Sequence, residues 1–340
     1  TMAKAMAASE KLRKFVQEYP IILEYANELI GVPRGFATHA AGIVISDTPL
    51  AECAPLRRDN EGTVSVQYDK DQCEDIGLVK MDFLGLETLD VIDETIAMAK
   101  SIGVNLPAPS DLQDGDSKTY KLMHLGHTTG MFQLNGSMTP LCKAMLPKSI
   151  EDIAAISALG RPNVRKQDRI EFINRRFGRS PVKYTHPCLE TVFKHTHGIP
   201  VYEEDLLKLA KVVAGWDLSE ADGLRKLTKL KEKGVHLAAE LEKKFVADAS
   251  SYSKLSIDEA QEIWTRVIST FAGYAFNLSH AIMYSMISYQ TAYYKAHAIG
   301  PFICANLNAQ TRGNKPSRAE IIDALKKDAK LFKITIQSCD

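Results

Sequence analysis

The sequence lacks an excess of charge of either sign, because 42 Lys and Arg residues balance 42 Asp and Glu residues. Net charge therefore neither favours nor excludes an anionic partner, and only local clusters of charge can indicate one. The sequence also lacks an apolar run long enough to span a bilayer, and its N-terminus lacks the apolar core of a signal peptide. We therefore expect no membrane partner.

Paired cysteines are also missing. The six cysteines are scattered, no two form a C-x-x-C pair, and no histidine is spaced to complete a zinc site with them. This pattern argues against a zinc module or a disulfide framework and predicts a reduced, cytoplasmic protein. Internal repeats and low-complexity tracts are absent too, so repeat architectures are not expected.

What the sequence does contain is a β-rich stretch between helical ones. Residues 1–30 predict two helices broken at Pro20, and residues 41–46, 63–68 and 76–83 predict three short strands. Such a small sheet has exposed edges and little core, so we expect it to complete a sheet whose other strands lie elsewhere. Further helices are predicted at 88–101, 117–125, 150–159, 165–177, 203–214, 219–231, 235–249, 257–271, 281–299 and 318–329. The expected fold class is α+β, mostly α.

Lys80 and Asp82 are unusual within their predicted strand. Side-chain alternation puts them on one face of residues 78–84, amid apolar neighbours. Both charges cost free energy unless the carboxylate meets a metal and the ammonium an anion, or the two pair with each other or a neighbour. Mg²⁺ prefers carboxylate and phosphate oxygens. On these residues alone an ion-paired, non-catalytic Asp82 is the commoner case.

Basic residues are concentrated in two places. Residues 161–179 contain seven Lys or Arg against two acids, and residues 225–233 contain five against one. Arg165, Arg169 and Arg176 fall near one face of a predicted helix, which favours phosphate partners. A solvated basic face is an equal alternative.

Histidines adjoin two predicted elements. His39 precedes a strand among small residues that allow close backbone approach, although a purely structural histidine is the simpler interpretation. The segment 271–280 leads into an aromatic-rich helix, where Asn277 or Ser279 could form the N-cap and free N–H groups could hold a phosphate. A cap with a packed aromatic core is the alternative.

We interpret the carboxylate groups at 69/71 and 111/114/116 as structural, because turns favour Asp.

The order of several motifs resembles one family. THAAGIVIS, QYD, GLVKMDFLGLETL, GMFQLNG, ALGRP, GIPVYEED, FAGYAFNLSHA and SYQTAYYKAH follow each other as in the family C DNA polymerases, the family of the bacterial DNA polymerase III alpha subunit. The likeness runs from about residue 35 to about residue 310 and is specific as a collinear set. Each motif alone would be weak.

This resemblance implies a polymerase-beta-like nucleotidyltransferase palm and a large helical fingers lobe. In such a palm three aspartates hold two Mg²⁺ ions for attack of the primer 3′-OH on the nucleotide α-phosphate. The third aspartate corresponds to Asp82, and Lys80 corresponds to a lysine that contacts the triphosphate. The family's first two aspartates lie in a P-D-x-D motif, which occurs nowhere in these 340 residues.

The resemblance also implies further contacts, partners and domains. Nucleotide contacts are expected from Arg161, Arg225, Lys226 and His280, and DNA contacts from His39, Arg165, Arg169 and Arg176. Residues 1–35 resemble the end of the thumb, 36–90 the second half of the palm, 91–312 the fingers, and 313–340 the start of a DNA- and clamp-binding region. The implied partners are primer–template DNA, dNTP, a sliding clamp, and a second polymerase chain with a PHP-like (histidinol-phosphatase-like) domain and the first palm half.

Some positions depart from the family pattern. Asn163–Val164 replace Gly-Pro, Leu278 replaces a lysine that could contact phosphate, and residues 203–205 are more acidic than usual. These departures predict a divergent, phage-encoded member that acts in the cytoplasm of a bacterium or of a phage-infected cell.

Three functions follow as hypotheses. The first is one part of a split or truncated DNA polymerase, inactive until further polypeptide supplies the P-D-x-D aspartates. The second is a non-catalytic module that binds DNA or regulates a replisome. An unrelated nucleotidyltransferase is the third, but it would not explain the motifs beyond residue 130.

Overall fold

The computed structural model describes residues 2–32, 35, 37–39, 41–59, 62–83, 85–227, 235–269, 275–312 and 318–337, with the backbone alone at 2–4, 226, 235 and 236. It separates into two compact units, Thr1–Gly85 and Leu86–Asp340. The first contains the strands and the second is helical, so the predicted fold class, α+β with helix predominating, is confirmed.

Short helices make up the start of the first unit. Two helices are predicted over residues 1–30, but the structure has three, because Ser9 begins an additional one by accepting a hydrogen bond from the Leu12 N–H at 3.3 Å. Pro20 lies in the first turn of the next helix, where a missing N–H costs little. The helices of this unit are α1 (Met2–Ala8), α2 (Glu10–Glu18), α3 (Pro20–Leu29), α4 (Leu50–Cys53) and α5 (Lys70–Asp75).

Four strands form two separate antiparallel ladders. β1 (Gly42–Ile45) pairs with β4 (Val79–Asp82), and β2 (Leu56–Arg58) pairs with β3 (Val64–Val66). The three predicted strands are present, but within the described residues they do not share one sheet, so that prediction is wrong. β2 was missed because Leu-Arg-Arg lacks apolar alternation, and β3 pairs with it because their short connection costs little loop entropy.

The ladder of β1 and β4 is buried on one face only. Leu78, Ala54 and Cys73 form a small core beneath it. The opposite face is open to solvent, with alternate side chains 45–61% exposed: Ile43, Ile45, Val79, Met81 and Phe83. A contiguous exposed apolar face of this kind is typical of a surface that other polypeptide covers.

Most helices of the second unit lie where the sequence predicts them. Three were missed. The helix at Glu190–Phe193 has only four residues, too few to show a helical period. The other two each have a proline in the first turn, where proline is tolerated rather than disruptive. These are α8 (Thr139–Met145) and α17 (Ile299–Ala309). The others are α6 (Glu87–Ser101), α7 (Ser117–Leu125), α9 (Ile150–Leu159), α10 (Lys166–Arg176), α11 (Glu190–Phe193), α12 (Glu203–Ala214), α13 (Leu218–Leu227), α14 (Val235–Ser253), α15 (Ile257–Ile263), α16 (Leu278–His297) and α18 (Arg318–Leu331).

Two large hydrophobic clusters form the core of this unit. In the first, Tyr289 of α16 packs with Met123 and Ile153. In the second, Leu206 of α12 packs with Phe245 and Trp264, and Trp264 begins a π-helical turn that continues α15. Among the helices that the structure describes, none is long and apolar enough to cross a membrane.

Lys295, near the carboxyl end of α16, is completely buried. Its Nζ lies 2.8 Å from Oδ2 of Asp328 on α18 and donates to the carbonyl oxygens of His127 and Thr129, each at 2.8 Å. Burial lowers the pKa of Lys295, and the negative charge of Asp328 opposes that shift. The buried ammonium therefore has two hydrogen-bond acceptors and a counter-ion, as a charge removed from water requires.

We predict that Asp328→Ala lowers the free energy of unfolding by about 3–5 kcal/mol, because it leaves the Lys295 charge buried without its counter-ion. Urea unfolding of the 340-residue chain measures this. Asp323→Ala is the control: this carboxylate forms an exposed pair with Lys327 on the same helix, so its loss should cost less than about 1 kcal/mol. Equal losses in the two variants would contradict the prediction.

Candidate functional site

Asp82 ends β4 with its carboxylate held by Lys80. The Lys80 Nζ lies 2.8 Å from Oδ1 and 3.0 Å from Oδ2 of Asp82, so one ammonium contacts both oxygens. The two residues therefore share a face of the strand, as alternation predicts. The two charges are tolerated on an apolar strand because they pair with each other. The Lys80 side chain is 17% exposed and the Asp82 side chain is 43% exposed.

His39 lies beside this pair. Its Nδ1 is 3.9 Å from Oδ1 of Asp82 and accepts the Ala41 N–H at 3.2 Å. An imidazole nitrogen that accepts a hydrogen bond carries no proton to donate, so His39 is a neighbour of the carboxylate rather than its hydrogen-bond donor. Its side chain is 54% exposed.

Gly42 makes room for the cluster. It is paired with Asp82 in the β1–β4 register. A Cβ at this position would lie 2.8 Å from Cε of Lys80, 3.0 Å from Nδ1 of His39 and 3.2 Å from Oδ1 of Asp82. The sequence predicts small residues that allow close backbone approach here, but it does not single out Gly42. Gly42 can be recognised only as a glycine paired across the ladder with a charged residue. That pairing is not known until the register of β1 and β4 is known.

The ion pair keeps Asp82 charged. The hydrogen bond from Lys80 lowers the pKa of the Asp82 carboxyl below its ordinary value, and the charges of Lys80 and Lys70 act in the same direction. A groove of about 750 Å³ runs beside the cluster and is lined in part by His39, Lys80 and Lys70. An ionised carboxylate with nearby cations suits a site where metal ions and phosphates meet.

Asp82 fits one part of a magnesium site. Its carboxylate oxygens are the donor type that Mg²⁺ prefers, and their exposure leaves them within reach of an ion. In the portions of the chain that are described, no group of three or more His, Cys, Asp or Glu residues could hold a metal ion. Lys80 occupies both carboxylate oxygens and would have to yield at least one of them.

In the acidic pair at 69 and 71, Asp69 has a structural role, as predicted, and Asp71 lies in the first turn of α5. Asp69 caps α5 by accepting the Gln72 N–H at 2.9 Å, while the Gln72 side chain accepts the Asp69 N–H at 3.0 Å. In the other acidic group, Asp116 caps α7 by accepting the Thr119 N–H at 2.7 Å. Capping explains why these carboxylates occur where they do.

In the second unit, Arg161 and His280 both contact one aromatic ring, that of Phe276. The Arg161 guanidinium lies 4.1 Å from the centre of the Phe276 ring, and the His280 imidazole makes an edge contact with the same ring at 5.5 Å. His280 also lies against Tyr284 at 4.1 Å. Burial lowers the pKa of His280, with Arg161 contributing, so the imidazole is neutral near pH 7.

The amino end of α16 is capped twice. Asn277 accepts the His280 N–H at 2.7 Å, so of the two predicted capping residues Asn277 has this role. Glu204 then accepts the Leu278 N–H at 2.8 Å and the Asn277 side-chain amide at 2.9 Å. The Glu204 carboxylate thus binds the Leu278 N–H, which lies at the helix end where a phosphate was predicted to bind. Sequence reasoning noted the acidity of residues 203–205 without assigning this role.

Of the two remaining predicted nucleotide contacts, Arg225 has a partner within the chain. Arg225 pairs with Asp222 at 2.7 Å, and that bond raises the pKa of Arg225, with smaller contributions from Glu203 and Glu204. Lys226 is in α13, but its side chain lies outside the described residues, as do residues 228–233 of the second basic cluster.

Arg165, Arg169 and Arg176 each have a partner within the chain. Arg165 precedes α10 and pairs with Asp168 at 2.8 Å. Arg169 donates to the carbonyl oxygens of residues 161 and 164, and the half-buried Arg176 pairs with Asp152. These contacts shape the loop before α10 and its packing on α9, and their role in DNA binding stays a prediction.

Comparison with known proteins gives a consistent result. Residues 1–85 match the model of the bacterial DNA polymerase III alpha NTPase domain, and residues 88–252 match that of the bacterial DNA polymerase III alpha subunit finger domain. The DNA polymerase III subunit alpha of Aquifex aeolicus is 40% identical over 332 residues, covering 95% of this chain and 27% of the relative.

Two further relatives agree. The corresponding subunit of Bacillus subtilis is 37% identical over 316 residues, covering 91% of this chain and 28% of the relative. That of Thermus aquaticus is 38% identical over 310 residues, covering 89% of this chain and 25% of the relative. The chain thus spans about a quarter of the length of the curated relatives that it matches.

We predict that Lys80→Met raises the pKa of Asp82 back towards the ordinary value of about 3.9, because the lysine hydrogen bond is the main influence that lowers it. The ¹³C shift of the Asp82 carboxyl, followed by NMR as a function of pH, measures the change. Lys70→Met should produce a smaller rise, since Lys70 contributes only its charge. An unchanged pKa in Lys80→Met would show that the pair does not persist in solution.

Proposed function

Since this chain belongs to the family of bacterial DNA polymerase III alpha subunits, we propose that it forms part of a replicative DNA-directed DNA polymerase. The reaction would transfer a dNMP to a primer 3′-OH and release pyrophosphate. The observation that carries the proposal is the exposed, ionised Asp82 beside Lys80, in the part of the chain that matches the NTPase domain model.

Asp82 would supply one carboxylate ligand of the two-metal centre. When bound, Mg²⁺ would lower the cost of deprotonating the primer hydroxyl and stabilise charge on the leaving group. The ion pair with Lys80 keeps Asp82 charged and oriented before the substrates bind. Lys80 would then turn from the carboxylate towards the triphosphate, which offers its ammonium a stronger anionic partner.

The remaining carboxylates would come from polypeptide beyond these 340 residues, in the same or a second chain that carries the PHP-like domain and the other half of the palm. The exposed apolar face of β1 and β4 supports this, because it offers an area against which further palm structure can pack. Primer–template DNA, dNTP and a sliding clamp would be the other partners, and the complex would act in the cytoplasm.

The domain assignments follow the same proposal. Residues 1–35 would complete a thumb, 36–90 a palm, 91–312 the fingers, and 313–340 would begin a DNA- and clamp-binding region. In the fingers, Arg161 and His280 would contact the nucleotide at the amino end of α16, with Arg225 and Lys226 as further cations. His39, Arg165, Arg169 and Arg176 would contact DNA.

We predict that this chain, combined with the polypeptide that supplies the other palm carboxylates, extends a primer in a Mg²⁺-dependent reaction. Asp82→Asn should reduce the rate by at least about 10²–10³-fold, the scale expected when one charge-stabilising group is lost from an active site. Single-nucleotide incorporation under single-turnover conditions measures the effect.

Asp69→Asn is the matched control. It makes the same chemical change at a carboxylate that caps α5, and Asn caps a helix nearly as well as Asp, so the rate should be unchanged. Normal activity of the Asp82→Asn assembly would overturn the proposal. Absence of extension together with salt-sensitive duplex binding by this chain would favour the non-catalytic DNA-binding module instead.

A further inference from the structure

We propose that Glu204 is a positioning residue for the nucleotide-binding groups of the helical unit, an inference that rests on the function proposed above. The Glu204 carboxylate joins two segments that are more than 70 residues apart in sequence. It accepts the Asn277 side-chain amide at 2.9 Å and the Leu278 backbone N–H at 2.8 Å. Each carboxylate oxygen receives one of these hydrogen bonds.

The same two segments are also joined by their backbones. The Phe276 N–H donates to the Val201 carbonyl at 3.3 Å, and the Glu203 N–H donates to the Phe276 carbonyl at 2.9 Å. These bonds make an isolated parallel bridge at Tyr202 and Phe276. Residues 276–278 are therefore held along the start of α12 by two backbone bonds and one carboxylate.

This attachment sets the position of Arg161 and His280. Both side chains contact the Phe276 ring, and Asn277 accepts the His280 N–H through its side-chain oxygen. Because Glu204 binds the nitrogen of the Asn277 amide and His280 binds its oxygen, the orientation of that amide is determined. A shift of residues 276–278 would move the ring that both candidate nucleotide contacts touch.

Glu204 itself has no need to contact the nucleotide. Both of its oxygens already accept hydrogen bonds, and a carboxylate would repel a triphosphate. Its effect would be to align the groups that do make contact. Misalignment of positioned groups weakens binding and reaction even when no contacting side chain is removed.

The role of Glu204 can be tested in the assembled polymerase by exchanging the donor and acceptor groups at residues 204 and 277. In Glu204→Gln, an amide N–H group faces either Asn277 or Leu278, both of which are donors. In Asn277→Asp, two carboxylates face each other, although Asp still caps α16. In the double variant the introduced glutamine amide can donate to the introduced aspartate and accept from the Leu278 N–H, so all three hydrogen bonds are restored.

We expect each single variant to raise the KM for dNTP by about tenfold, while the Kd for primer–template is unchanged. The double variant should return to within about threefold of the wild-type KM, because the two positions are directly coupled. Steady-state incorporation at varied dNTP, scaled to the active fraction of enzyme, measures KM and kcat separately. Glu240→Gln, an exposed charge removal on α14, should change neither.

The outcomes separate the two proposals. No extension by the wild-type assembly would refute the polymerase function itself. With an active wild type, three results would overturn the role of Glu204. The first is a wild-type KM for dNTP in the single variants. The second is a loss confined to kcat or to thermal stability, as expected of a purely structural cap. The third is a double variant whose KM rises by the product of the two single-variant effects.

Discussion

A long buried helix must find partners for its polar groups at both ends, and α16 does so through residues distant in sequence. At its amino end, Glu204 accepts the Leu278 N–H and Asn277 accepts the His280 N–H. Near its carboxyl end, Lys295 is enclosed by Asp328 and by two carbonyl oxygens. Between these points the Tyr289 hydroxyl donates to the Gln113 carbonyl. The helical unit is organised around these hydrogen bonds, because a buried polar group without a partner is costly.

The strand-containing unit obeys a different constraint. Its core beneath β1 and β4 is small, and much of its apolar surface remains in water on the sheet face and on α3. Two-stranded ladders gain little stability on their own. This unit therefore has little core of its own, whereas the clusters around Tyr289 and Leu206 give the helical unit an extensive one.

The sequence predicts the helices well where polarity alternates with the helical period. The bounds of α7, α9 and α12 agree residue for residue, since caps and glycines mark their ends. The errors have local causes: prolines in the first turns of α8 and α17, and a β2 strand without apolar alternation. Pairing of β3 with β2 could not be predicted, because ladder partners are chosen by loop entropy and packing rather than by strand propensity.

The candidate site was predicted in part. Spacing placed Lys80 and Asp82 on one face, and motif order suggested their chemistry. The partners of the basic residues could not be foreseen, because charge clustering does not reveal that Arg176 faces Asp152 or that Arg169 turns back onto carbonyl oxygens. Nor could the role of Glu204, since it depends on a bridge between segments more than 70 residues apart.

The two anchors of α16 have a mechanical consequence. His280 and Lys295 are separated by about 22 Å along the helix axis, and an α-helix of this length is stiff. Because a buried ammonium cannot be left without acceptors, α18 cannot separate from α16 without a large energetic cost. The two ends of this stiff helix are thus fixed to different segments, α18 at one end and the start of α12 at the other.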